Sequence, residues 1–145
     1  MTLNEHIEKL LSQAGLTIQY YPYIAWGQMK YSPTGAYYSN KSLVMVNFPL
    51  TNDIDELEYT TILHEIGHHF TIPKSYKILG KVPFVTDVIY YEALAWKWAY
   101  HNSVIPWSDK MRAKMYKGLS SYYTYMDNPK KRSLESLLTF IEMED

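Results

Sequence analysis

The stretch TTILHEIGHHF, residues 60–70, decides how this chain reads. It holds three of the five histidines, with a glutamate directly after the first, inside an apolar run. Read as a helix, it sets His64 and His68 one turn apart on one face, about 40° apart round the axis. Two imidazoles so placed can share one Zn2+. Glu65 stands next round the helix. It lies too far round to join the same ligand set easily, but it can reach a water on the metal. That is the mechanical logic of H-E-x-x-H: two ligands and one general base on a rigid rod. At average residue frequencies the pattern arises by chance in under about one in a hundred chains of this length. Ile62, Leu63, Ile66 and Phe70 keep the surroundings apolar, unlike a surface helix with accidental histidines. His69 lies about 140° from His64, off the ligand face. It reads as a solvated residue or a support behind the site, with substrate contact as the minor alternative. Gly67 lowers helix propensity by about 1 kcal/mol relative to Ala. Its use would be to let another backbone or helix come close.

Working outward, the active helix should run from about Ile54 to Phe70, with Asp53 as its cap and Asp55 and Glu56 in its first turn. Before it, GAYYSNKSLVMVN (residues 35–47) reads as a β-hairpin with Ser39, Asn40 and Lys41 near the turn. Leu43–Val46 is nearly all apolar and so belongs at the sheet centre. Thr17–Tyr21 reads as a strand and residues 22–34 as a loop with Pro22, Gly27 and Pro33 as breakers. Residues 2–14 form an amphipathic helix through Leu3, Ile7, Leu10 and Leu11, closed by Gly15, with His6 on its surface. After the active helix, Pro73 and Gly80 mark a loop. A helix over 87–101 follows, opened by Asp87 and closed by Asn102 and Pro106. Two more helices, near 108–126 and 133–143, are separated by Asn128-Pro129. The expectation is one α+β domain over residues 1–145: an N-terminal helix, a small antiparallel sheet of about three strands, the HExxH helix and three further helices.

Bulk composition narrows the chemistry. The chain has 145 residues, a formal net charge of −1 and no cysteine. That charge gives no global pull toward nucleic acid or an anionic membrane. Without cysteine, any metal must be held by His, Asp or Glu. No apolar run approaches the roughly 18 residues needed to span a bilayer, and MTLNEHIEKLLSQAG has no apolar core of a signal peptide. A cytoplasmic location is expected, with no membrane contact. The 15 tyrosines could stack bases, but without a basic surface they read as core and surface filling.

A catalytic zinc site usually has three protein ligands and a water. The metzincin extension, a third His shortly after a Gly, is absent from FTIPKSYKILG. The third ligand must come from further on, and Asp87, Glu92 and His101 are the candidates. Glu92 is the choice. It sits in VIYYEALAWKWA among Val88, Ile89, Ala95 and Trp96, with no cation three or four residues away. A carboxylate in an apolar patch is costly unless something positive meets it. The helix 87–101 would then cross the Gly67 side of the active helix. The result is HExxH, a gap of 23 residues, then Glu, the gluzincin pattern. One Zn2+ per chain, held by His64, His68 and Glu92, would lower the pKa of its water, with Glu65 as the catalytic base. Tyr90, Tyr91 and His101 are the nearest candidates for stabilising an oxyanion or touching substrate.

These residues resemble the ImmA/IrrE family of metallopeptidases, in particular short members from phages and mobile elements. The likeness runs from about residue 35 to 107. It covers GAYYSNKSLVMVN as the hairpin before the active helix, EYTTILHEIGHHF as that helix, and EALAWKWA as the family's Glu-x-x-Ala-x-x-aromatic-Ala segment, with Val104-Ile105-Pro106 behind it. The resemblance implies a zincin-like fold, with His64, His68 and Glu92 as metal ligands and Glu65 as the catalytic glutamate. It also implies a protein substrate, a helix-turn-helix repressor of a mobile element or stress switch. Where the family often has Asn or Asp, this chain has Trp96. By analogy with zincins, the strand near Gly35–Ser39 would line the substrate cleft.

Lys110, Arg112, Lys114, Lys117, Lys130, Lys131 and Arg132 are half of the 14 basic residues. The run can dock an acidic partner, but a solvated helix face is the plainer reading, and no direct nucleic-acid binding is expected. The leading function is a zinc endopeptidase with a narrow protein substrate. The alternative is a zincin-like binding protein that sequesters a regulator or host defence component without proteolysis.

Overall fold

The computed structural model describes residues 1–22, 34–72, 85–123 and 134–144. In chain order the elements are α1 (Leu3–Ala14), β1 (Thr17–Tyr20), β2 (Gly35–Tyr38), β3 (Leu43–Val46), α2 (Glu56–Thr71), α3 (Val85–Asn102), α4 (Asp109–Tyr123) and α5 (Leu134–Glu142). This is an α+β arrangement of five helices and a three-stranded sheet among the described residues. Most of the expected 22–34 loop, the Pro73 and Gly80 connection, the Asn128-Pro129 break and Lys130, Lys131 and Arg132 lie outside the described residues. So does the Asp87 side chain.

Helix α2 begins two residues later than expected, and Asp55 rather than Asp53 caps it. The Asp55 carboxylate accepts the Glu58 amide at 2.7 Å, and Glu58 Oε1 accepts the Asp55 amide at 3.0 Å. This reciprocal box satisfies two amides that a helix start leaves without partners. The delay has a tertiary cause. Asn4 on α1 takes the Ile54 amide on its Oδ1 (3.0 Å) and donates to the Thr51 carbonyl (2.8 Å). Residues 51–54 are thereby held as a connection, with Ile54 buried.

Every residue from Tyr59 to Gly67 is buried, so α2 is the axis of the core. It contacts α1, α3, α4, β2 and β3. Helix α1 meets it through Ile7, Leu10 and Leu11 and ends at Gly15, whose φ of 68° closes the helix as expected. His6 is not on the surface. It is buried, and its Nδ1 lies 2.8 Å from the Tyr59 hydroxyl. Its place on the helix explains this: His6 is three residues after Leu3 and four before Leu10, inside the apolar stripe.

The sheet order is β1-β3-β2, with β3 central and Val44 and Val46 fully buried. The sheet is mixed, not antiparallel. β2 pairs antiparallel with β3, Gly35 opposite Val46, through the expected turn at Ser39–Lys41. β1 pairs parallel with β3, Thr17 opposite Leu43. The returning hairpin strand enters between β1 and β2, so the neighbour of β1 runs in its own direction. The C-terminal end of α5 is held by α3: Lys97 Nζ donates to the Phe140 carbonyl (3.3 Å), and His101 Nε2 lies 3.0 Å from the Ile141 carbonyl. The Lys97 ammonium suits the negative end of a helix. Among the described residues no helix is long and apolar enough to cross a membrane.

Candidate metal centre

The site exists because two helices cross closely. A Cβ on Gly67 would stand 2.6 Å from the Ala95 carbonyl oxygen, nearer than real contacts allow. Ala93, Ala95 and Ala99 are fully buried and give α3 a small-residue face toward its neighbours. With α3 seated there, Glu92 comes to rest over the His64–His68 face of α2.

Glu92 Oε2 lies 2.8 Å from His64 Nε2, and Glu92 Oε1 lies 2.9 Å from His68 Nε2. One carboxylate thus faces the Nε2 atoms of both histidines, whose rings are 4.6 Å apart. Glu65 Oε1 stands 3.3 Å from the other nitrogen of His64, Nδ1. His64, Glu65 and His68 also present ligand atoms within 4.8 Å of one another, a group able to hold a metal. Glu92 stands closer to both Nε2 atoms than Glu65 does to Nδ1. His64, Glu65 and Glu92 are all buried.

Two carboxylates meet the two imidazoles in this cluster. Burial alone would push His64 down, but the Glu92 carboxylate, aided by Glu65, outweighs it and pushes the imidazole up to about 9. Burial alone would raise Glu92, but His68 and His64 hold it well below the usual carboxylate range. The carboxylates therefore favour positive charge beside the imidazoles. A proton on His64 supplies it, and so would a divalent metal. Despite its 2.8 Å approach to Glu92, the buried His64 Nε2 has no partner lying in line for a hydrogen bond. Two imidazoles, one of them with a buried Nε2 that makes no hydrogen bond, and a carboxylate are a donor set that fits a zinc ion.

Around this centre, β2 and α4 close in. A Cβ on Gly35 would meet the Thr61 methyl at 2.8 Å and Glu65 Cγ at 3.2 Å, so the first residue of this outer strand lies directly against the glutamate. Tyr37, on the same strand, has its hydroxyl 2.9 Å from His69 Nδ1. Burial pushes that phenol up to about 12, so it stays protonated. His69 therefore ties β2 to the end of α2 rather than facing His64. Lys114 of the basic run also points inward: its Nζ donates to Thr34 Oγ1 (3.1 Å), itself 3.3 Å from Thr61 Oγ1. Burial lowers this lysine, Lys117 adds to the effect, and Asp55 and Glu65 oppose it. Lys110 and Lys117 remain exposed.

The other residues expected at the site are more scattered. Tyr90 is exposed and Tyr91 half-buried, their rings edge to face 5.4 Å apart. His101 lies roughly 13 Å of helix rise beyond Glu92 and is engaged with α5. It is not brought to the histidines. One neighbour was not foreseen: Trp96 stacks flat on His64, centroids 3.9 Å apart and planes 8° from parallel. Its signals in the sequence are its place four residues after Glu92 and its departure from the Asn or Asp of the resembled family. No family model, curated protein or solved structure matches the chain.

Proposed function

We propose that this chain is a zincin-like, zinc-dependent endopeptidase of the ImmA/IrrE type, cleaving a specific protein. The carrying observation is the Glu92 carboxylate, delivered by a separate helix to the Nε2 atoms of both HExxH histidines. His64, His68 and Glu92 would hold the metal. Zinc in such a site supplies a Lewis acid that polarises a scissile carbonyl and acidifies water. The remaining work belongs to the chain. Glu65, buried beside His64 and outside the Nε2-facing set, takes the proton of the attacking water and returns it to the leaving amine. The low exposure of the cluster strengthens these electrostatic interactions by excluding solvent.

The substrate class rests on the family resemblance alone: a helix-turn-helix repressor of a mobile element or stress switch. Such a repressor would be met in the cytoplasm. The test is Glu65→Gln, assayed for zinc content and for cleavage of candidate repressors. A peptidase keeps its zinc and loses about 10²–10⁴-fold in rate. A variant that keeps full biological effect without cleavage means the protein acts by binding, and a wild type without zinc removes the metal reading.

A further inference from the structure

The second side-chain torsion of a histidine is broad and roughly two-fold, so the backbone leaves its ring plane undefined. A ligand histidine ordinarily has its other nitrogen held by a group outside the ligand set. At His64 the group nearest Nδ1 is Glu65 (3.3 Å), which the proposed chemistry needs for proton transfer. The ring plane is set differently here. The indole of Trp96 lies against it face to face, 3.9 Å away and 8° from parallel. Trp96 is itself locked: it is 4% exposed and meets Trp107 edge-on at 6.1 Å and 82°. It stands one helical turn after Glu92, on the same face of α3. One rigid helix therefore supplies both the carboxylate facing His64 and the wall behind it. An aromatic face also favours an imidazole that carries positive charge, as it does on binding a cation.

We propose that Trp96 is a positioning residue of the metal centre. Its indole fixes the plane of His64, so that Nε2 stays aimed at the space shared with His68 and Glu92. This inference rests on the metal-centre reading, and the experiment separates the two. Zn2+ affinity is measured by competition with a chromophoric chelator for wild type, Trp96→Leu and Trp96→Phe, with the visible absorption of the Co2+ forms as a report on ligand geometry. Trp96→Leu fills the space without a stack. It is expected to weaken zinc by about 10–100-fold and to shift the Co2+ spectrum. Trp96→Phe, which keeps an aromatic face, is expected to stay close to wild type. Trp96→Leu with wild-type affinity and an unchanged Co2+ spectrum overturns the proposal and leaves the metal site standing. A wild type that takes up no zinc overturns the metal reading instead. Where Trp96→Leu does not fold, tryptophan fluorescence decides. A response to zinc that is present in wild type and lost in Trp96→Phe supports the stack, whereas an equal response in both, or none, refutes it.

Discussion

Helix α2 carries two buried histidine knots, one at each half, and they have opposite characters. In the first, the Val104 amide donates to the Tyr59 hydroxyl (3.0 Å), so the phenol proton is directed to His6 Nδ1 (2.8 Å). These partners are uncharged. Burial, with nearby Lys9 adding to it, pushes His6 down and keeps it neutral. In the second, Glu92 and Glu65 push His64 up. The two imidazoles are nearly equally exposed, 8% and 9%. Burial lowers both, so the opposite direction at His64 comes from its carboxylate partners. The first knot joins neutral groups through the Val104–Tyr59–His6 hydrogen bonds. The second gathers two carboxylates against its imidazoles, the donor set on which the proposed metal site rests.

The sharpest way to break this contrast is to part the helices that create the second knot. Gly67→Ala places a methyl where the Ala95 carbonyl oxygen would be 2.6 Å away, against backbone that cannot rotate aside. Overpacking of this kind costs about 3 kcal/mol, on the order of 10 °C in Tm for a chain of this size. Because α3 carries Glu92, zinc binding should be lost with it, while His6 and Tyr59, on the α1 side, keep their contact. Thermal melts and zinc titration of the variant check this. Unchanged Tm and zinc uptake would mean that the crossing is not what holds Glu92 in place.

A pH series on metal-free protein sharpens the same contrast, because the two histidines bend the stability curve in opposite directions. His64 is raised when folded, so its contribution is fully present below its ordinary value of 6.5 and is lost as pH rises through about 9. His6 is lowered, so its contribution is present above 6.5 and is lost as pH falls through its folded value. Glu92, also lowered, acts on the acid side like His6, below its ordinary 4.5. Metal-free protein should therefore be most stable near pH 6.5, with Tm falling by several degrees toward pH 9. Glu92→Gln removes the main charge that raises His64 and should flatten the alkaline fall while leaving the His6 contribution intact. A fall of the same size in Glu92→Gln would show that the carboxylate is not what holds the His64 proton.

The parts legible in the amino-acid sequence share a physical property: their signals are local. The HExxH face, the Gly15 cap and the Ser39–Lys41 hairpin are each written within a few residues. The approach of Glu92 to the two histidines was legible as well, since a carboxylate among Val88, Ile89, Ala95 and Trp96 has no cation three or four residues away. Gly67 announced a close approach for the same reason, as a helix interior pays for glycine only when space is needed. What escaped was decided by non-local pairing. Nothing in Thr17–Tyr20 says that its neighbour will be Leu43–Val46 running parallel. Asp53 and Asp55 both precede a glutamate by three residues, and only Asn4, from another helix, selects between them. Trp96 read as a departure from a familiar pattern. Its stack on His64 depends on the rotation of α3 over α2, which no local window contains. Lys114, one of a basic run that suggested a solvated face, was turned inward by Thr34.

The smallest expected effect tests whether the first knot is independent of the second. Tyr59→Phe removes the hydroxyl that accepts from Val104 and donates to His6. Val104 is 43% exposed, so water can recover its amide, whereas His6 Nδ1 is left buried without a donor. The net cost should be about 1 kcal/mol, a drop of roughly 2–4 °C in Tm. Tyr59 and His64 are five residues apart, roughly 7.5 Å along the helix, and the described contacts give them no shared partner. Sites so separated usually act additively. Zinc affinity and the alkaline fall in stability should therefore match wild type even though the melt shifts. A zinc affinity that drops with Tyr59→Phe would show that α2 transmits strain from one half to the other, and that its two histidine knots form one coupled unit.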